Sequence, residues 1–157
     1  MGYLTNWTYA IVSAVNNTGR IAVGHGDTTK GVIRAFRWQK DGTPEMENLG
    51  VPDGYDESRA EDLNNTGSII VGFCHKVAGD VDAFCWDDTG GSLRIEQLPK
   101  PQGSARNSLC LAHGTNSDGT IIVGSCKLEN GYTHAVYWQG DKSKREVLNS
   151  PMPWSQW

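Results

Sequence analysis

The sequence predicts an all-β, β-propeller-like protein of three four-stranded blades, each about 48–52 residues long. Two recurring motifs predict it. The first is a turn that feeds a short apolar run: Asn16-Asn17-Thr18-Gly19-Arg20-Ile21-Ala22-Val23-Gly24, then Asn64-Asn65-Thr66-Gly67-Ser68-Ile69-Ile70-Val71-Gly72, then Asn116-Ser117-Asp118-Gly119-Thr120-Ile121-Ile122-Val123-Gly124. The second is Ala35-Phe36-Arg37-Trp38, repeated as Ala83-Phe84-Cys85-Trp86 and Ala135-Val136-Tyr137-Trp138. Both step forward by 48 and then 52 residues, so a single unit is repeated. A period of ~40–50 residues is that of four-stranded propeller blades. Glu47-Asn48-Leu49, Glu96-Gln97-Leu98 and Glu146-Val147-Leu148 close the units, and Pro52, Pro101 and Pro151 follow each leucine by three. The blades read as about 8–50, 56–99 and 106–149.

Each unit supplies four strands in order. The first ends at the turn asparagine; in the second unit it is Arg59-Ala60-Glu61-Asp62-Leu63. The Asn-x-x-Gly sequence suits a type I turn followed by a left-handed glycine, since Asn bonds nearby backbone and Gly takes positive φ without a clash. The second strand is apolar at consecutive positions, as in Ile69-Ile70-Val71, so both of its faces are expected to be covered. The third strand alternates Val81, Ala83 and Cys85 with Asp82, Phe84 and Trp86. Small residues line one face and large ones the other, so the bulk of one blade fits over the small face of the next. Trp38, Trp86 and Trp138 are expected to supply much of that burial, at ~200 Å² each, or about 5 kcal/mol. The fourth strand ends at Leu49, Leu98 or Leu148. No segment shows a 3.6-residue apolar period, so almost no helix is expected.

A chain of 157 residues with net charge -4 fits one domain with a sizeable core. There is no basic stripe, which makes nucleic acid a poor partner; Lys142, Lys144 and Arg145 read as a solvated turn. No apolar run approaches the ~20 residues of a membrane helix, and Met1-Gly2-Tyr3-Leu4 leads into polar residues without a visible signal peptide. Asn6-Trp7-Thr8, Asn16-Asn17-Thr18 and Asn64-Asn65-Thr66 are formal glycosylation sequons, the latter two explained by turn chemistry. Cys74, Cys85, Cys110 and Cys126 form no CxxC pair or metal-ligand spacing. They read as small buried hydrophobes, with two disulfides as the alternative.

Little in the chain has the pattern of chemistry, and neither catalytic, cofactor-binding nor metal-binding residues are assigned. Glu61 and Asp62 are adjacent on a strand and face opposite sides, unlike a glycosidase pair. Cys110 and His113 are three apart on one strand and also diverge, which argues against a nucleophile and base. Cys74-His75 with Cys126 would draw a metal site from different blades, and packing is the simpler reading. Ser13, Glu61 and His113 each stand three residues before their turn asparagine. If the first strands line the axis, these three form a divergent ring in a shared concavity, and they are the candidate ligand-binding residues. Arg34, Asp82 and His134 form a second such set, on the face of the tryptophans, where they are able to pair across blades.

The pattern Ala-x-x-x-Asn-x-x-Gly-x-Ile/Val-Val-Gly followed by Ala-Phe-x-Trp resembles the bacterial HAF repeat, an extracellular repeat named for a His-Ala-Phe tripeptide. Here the tripeptides are Arg34-Ala35-Phe36, Asp82-Ala83-Phe84 and His134-Ala135-Val136, so only the third keeps His and it lacks Phe. The resemblance covers roughly residues 10 to 150. It implies propeller-like β structure, a binding or surface role and a secreted or cell-surface setting, and it transfers no catalytic residue.

Three blades fall short of the usual four to eight of a closed propeller. The expectation is therefore a homodimer forming one six-bladed ring, or a fragment of a longer ring. Tyr3-Leu4 falls where a fourth strand would end, and the stretch from Ser150 to Trp157 matches the start of an inter-unit linker, so the ends read as a stub of another unit or dock elsewhere. The function expected is a non-enzymatic module that binds protein or glycan. The alternatives are a hydrolase-type enzyme with its site at the ring centre and a structural repeat segment of a larger surface protein.

Overall fold

The computed structural model describes residues 7–28, 30–43, 45–105, 109–141 and 144–148. These hold twelve strands and no helix. The first sheet is β1 (Trp7–Val15), β2 (Ile21–Thr28), β3 (Ile33–Gln39) and β4 (Met46–Gly50). The second is β5 (Glu57–Leu63), β6 (Ile69–His75), β7 (Val81–Asp87) and β8 (Arg94–Gln97). The third is β9 (Cys110–Thr115), β10 (Ile121–Lys127), β11 (Thr133–Asp141) and β12 (Lys144–Leu148). Each sheet pairs its strands antiparallel in chain order, which makes three four-stranded blades. The flanking stubs of the sequence reading lie outside the described residues.

The turn between the first and second strands of each blade is set by its asparagine. The Asn16, Asn64 and Asn116 amides donate to the carbonyls of Ile21, Ile69 and Ile121 at 2.9, 2.9 and 3.1 Å. Their side-chain oxygens accept from the amides of the same isoleucines at 3.1, 3.0 and 2.9 Å. Gly19, Gly67 and Gly119 sit at φ of 68°, 72° and 79° and close the turn by donating to the asparagine carbonyl. Glycine is favoured there because a side chain in the left-handed region crowds its own backbone.

A second glycine, Gly24, Gly72 or Gly124, ends the apolar run of strand two. The first strand of every blade carries a β-bulge: the pairing skips between Val12 and Ala14, between Ala60 and Asp62, and between Ala112 and Gly114. Opposite each bulge stands Gly24, Gly72 or Gly124. A Cβ on these glycines would lie 1.9, 2.0 and 2.0 Å from the carbonyl oxygens of Ile11, Arg59 and Leu111. The bulged strand is thus pressed against the second strand, and only hydrogen fits between them.

The blades pack face to face, large onto small. One core joins Val23, Ala35 and Leu49 of the first blade to Ala60, Leu63, Ile70, Phe84 and Trp86 of the second. The other joins Ile69, Val71, Ala83 and Cys85 of the second to Ala112, Ile122, Val136 and Trp138 of the third. Trp86 and Trp138 are fully buried, as the alternation of strand three requires. Polar groups join the interfaces too. The Ala35 amide donates to Ser58 Oγ at 2.9 Å, and Arg37, itself buried, reaches Asp88 at 2.9 Å and Glu47 at 2.6 Å.

Three expectations need correction. Trp38 is only half-buried, because it lies on the outer face of the first blade, where no blade covers it. The two-sided burial of strand two holds through Ile69-Ile70-Val71 but not in the third blade, where Ile121 and Val123 are exposed. The cysteines divide: Cys110 and Cys126 form a disulfide between β9 and β10, while Cys74 and Cys85 are free and buried. In the second blade Ser58 stands opposite Cys74, and in the first Ala10 stands opposite Gly26, so only the third blade has both sulfurs.

The bulge seat makes a graded prediction. Gly72→Ala drives a Cβ into the Arg59 carbonyl and should cost about 3 kcal/mol or more, the upper range of point substitutions. Gly79→Ala, at φ 97° with nothing within 4 Å of the new Cβ, should cost only the backbone strain, about 1 kcal/mol. Urea unfolding of the two variants separates the cases, and equal losses would refute the seat.

Candidate functional site

The first strands approach one another: β1 packs on β5, and β5 on β9. They form the inner edge of the fan. The three sequence-derived candidates, Ser13, Glu61 and His113, are the bulged residues of these strands. A bulge takes its residue out of the hydrogen-bonded ladder and re-aims the side chain. All three are therefore displaced in the same way, at equivalent positions of successive blades. Ser13 and His113 are exposed and Glu61 is half-buried.

Electrostatics links two of them. Burial pushes the Glu61 carboxyl above its ordinary value, while the nearby positive charges of His113 and Arg59 pull it down. His113 Nε2 is 3.1 Å from Ser125 Oγ on the adjoining strand. Asp62 turns away from this group and accepts the Thr115 amide of the next blade at 2.8 Å. Glu61 and Asp62 thus diverge, and no carboxylate pair forms here.

Residues outside the sequence-derived set join this region. Arg59, two before Glu61, has its Nε buried without a hydrogen-bond partner among the described residues, and so does His25 Nδ1. The imidazoles of His25 and His75 are both held below their usual value, first by burial and then by the Arg59 charge. His75 faces Glu57 across the strands, and Phe73 faces Arg59. Nothing in the repeat motif marks Arg59, because its blade equivalents are Ile11 and Leu111.

The second column behaves otherwise. Asp82 is buried, accepts the Tyr55 hydroxyl and pairs with Lys100 at 2.6 Å. Arg34 donates to the Asp56 carbonyl at 2.5 Å, and His134 Nε2 is 3.4 Å from Asn130 Nδ2. Among the described residues no member of this column pairs with another: Arg34 reaches the Asp56 carbonyl, Asp82 is held by Tyr55 and Lys100, and His134 stays within its own blade. The imagined cysteine sites also dissolve, since the disulfide occupies both Cys110 and Cys126.

No family model matches the sequence, and no curated protein matches it. Solved structures do. TolB from Acinetobacter baumannii superposes with a TM-score of 0.58 at 10% identity, over 91% of this chain and 33% of that one. The chain thus spans about a third of TolB's length. A fucose lectin from Kordia zhangzhouensis, solved with methyl-fucoside, gives a TM-score of 0.48 at 14% identity over 90% of this chain and 99% of that one. The likeness to TolB establishes a β-propeller-type fold.

Glu61 gives a pH-dependent test. Burial favours its protonated form, so the folded chain keeps that proton to higher pH than the unfolded chain does. The stability tied to the neutral form is complete below the ordinary carboxylate value and is lost as pH rises through the raised one. Glu61→Gln, always neutral, should therefore match the wild type in acid and gain on it in Tm as pH approaches neutrality. A Tm difference that stays flat across this range would contradict the assignment.

Proposed function

We propose that the chain is a non-enzymatic binding module that holds its ligand, a glycan or a polar protein segment, at the row of bulged residues. The observation that carries this reading is the shared displacement of Ser13, Glu61 and His113 on the inner strands. A hydroxyl, a carboxylate and an imidazole together offer donors and acceptors suited to a hydroxyl-rich partner. Arg59 Nε and His25 Nδ1, nearby and without a hydrogen-bond partner among the described residues, support it, because buried polar atoms ordinarily find a partner. In this reading the module works as a homo-oligomer. The Cys110–Cys126 disulfide supports an extracellular setting, since disulfides persist in oxidising compartments; that setting agrees with the HAF-repeat resemblance.

One observation favours the hydrolase reading: a carboxyl whose proton affinity is raised beside a histidine is a feature of acid–base sites. Asp62 weighs against it, because the adjacent carboxylate is spent on the Thr115 amide.

A glycan array followed by titration calorimetry tests the proposal. A ligand found this way should lose at least about tenfold in affinity, or ~1.4 kcal/mol, in Glu61→Gln and His113→Ala. Unchanged affinity in both variants would overturn the site. Turnover of the ligand, abolished by the same changes, would favour the enzyme.

A further inference from the structure

The two ends of the fan are the two halves of its interior interface. On the small face, Val23 and Val71 are 0% exposed, but their equivalent Val123 is 48% exposed. Ala35 and Ala83 are buried, whereas Ala135 is exposed. On the large face, Ala60 and Ala112 are 0% exposed, but Val12 is 55% exposed. Leu63 is buried at 6%, and its equivalent Val15 stands at 58%. Trp38 is half-open where Trp86 and Trp138 are sealed; Phe36 is buried, with Trp7 of its own blade edge-on to it at 5.9 Å. The third blade therefore lacks a large face to cover it, and the first blade lacks a small one.

The turns repeat the pattern. A Cβ on Gly67 would lie 2.6 Å from Ile21, and one on Gly119 would lie 2.6 Å from Ile69. The glycine turn of each later blade is thus seated on the isoleucine that opens strand two of the blade before. Gly19 has nothing within 4 Å of its Cβ position, and Ile121 is 37% exposed. One is an empty seat and the other an unseated turn.

We propose that the small face of the third blade in one copy takes the large face of the first blade in a second copy, closing a six-bladed ring through two identical junctions. Head-to-tail contacts of this kind give either a closed ring or an open filament. Propellers close with about four to eight blades, and among assemblies built from blades in threes only two copies fall in that range. The interior contacts supply the register: Ile121 of one copy seats Gly19 of the other, and Ala135 lies against Ala10, as the Ala35 amide lies 2.9 Å from Ser58 Oγ. The junction uses the end faces of the fan and the ligand site the bulged residues of the inner strands, so a failed junction removes the homo-oligomer from the proposed function and leaves its ligand site standing.

Cysteine cross-linking decides it. Ala10 and Ala135 are both exposed, so Ala10→Cys and Ala135→Cys leave the core intact. Under mild oxidation the double variant should run on a non-reducing gel at twice the 17.2 kDa chain mass, and each single variant should stay uncross-linked. Native mass spectrometry of the wild type should show the same dimer. A monomeric wild type would overturn the proposal, as would a ladder beyond the dimer. Cross-linking of the Ala10→Cys variant alone would also overturn it, because it would bring two first blades together.

Discussion

The structure depends on one packing relation: the bulky face of a blade lies on the small face of the blade before it. A single four-stranded sheet of this size has two apolar faces and no way to bury either against itself. Trp86 and Trp138 disappear from solvent because Ala35 and Ala83, one blade earlier, leave room for bulk. The same relation makes the middle blade the best covered, with every residue of β7 buried. It also accounts for the apolar residues left open at the two ends.

The second constraint lies within each blade. The glycine that ends the apolar run of strand two weakens a strand by ordinary propensity, yet it recurs because the bulge on the first strand comes within about 2 Å of where a Cβ would stand. That close approach lifts one residue per blade out of the ladder at the inner edge. Scaffold and candidate site are therefore coupled: the glycine that permits the bulge sets the direction of Ser13, Glu61 or His113. The backbone device is common to the blades, while the side chain it displays changes from hydroxyl to carboxylate to imidazole.

Most of the fold was legible because its signals are local. The Asn-x-x-Gly turn carries its own hydrogen bonds, and the alternation of Ala83 and Cys85 with Phe84 and Trp86 assigns the faces without any long-range knowledge. Ser13, Glu61 and His113 were found by repeat position alone, but the bulge that displaces them was not legible, since a bulge is a count of residues between two strands. The disulfide was hidden for the same reason. Counting back from the Thr115–Ile122 pair without a bulge sets Lys127 opposite Cys110, and only the extra residue at His113 brings Cys126 there. Arg59 and His25 were missed because their significance lies in buried nitrogens without hydrogen-bond partners among the described residues, which no sequence pattern records.

The relation between blades is tested most directly by a double-mutant cycle across one of them. Ile69 of the second blade and Gly119 of the third meet where a Cβ on the glycine would lie 2.6 Å from the isoleucine side chain. Unfolding free energies would be compared for Ile69→Ala, Gly119→Ala and the pair. If the turn is seated on that side chain, truncating Ile69 removes its nearest atom, Cγ1, leaves Cβ at 2.9 Å and eases the clash, and the double variant should cost at least about 1 kcal/mol less than the sum of the singles. Costs that add to within ~0.5 kcal/mol, the behaviour of independent sites, would show that the two blades do not meet there.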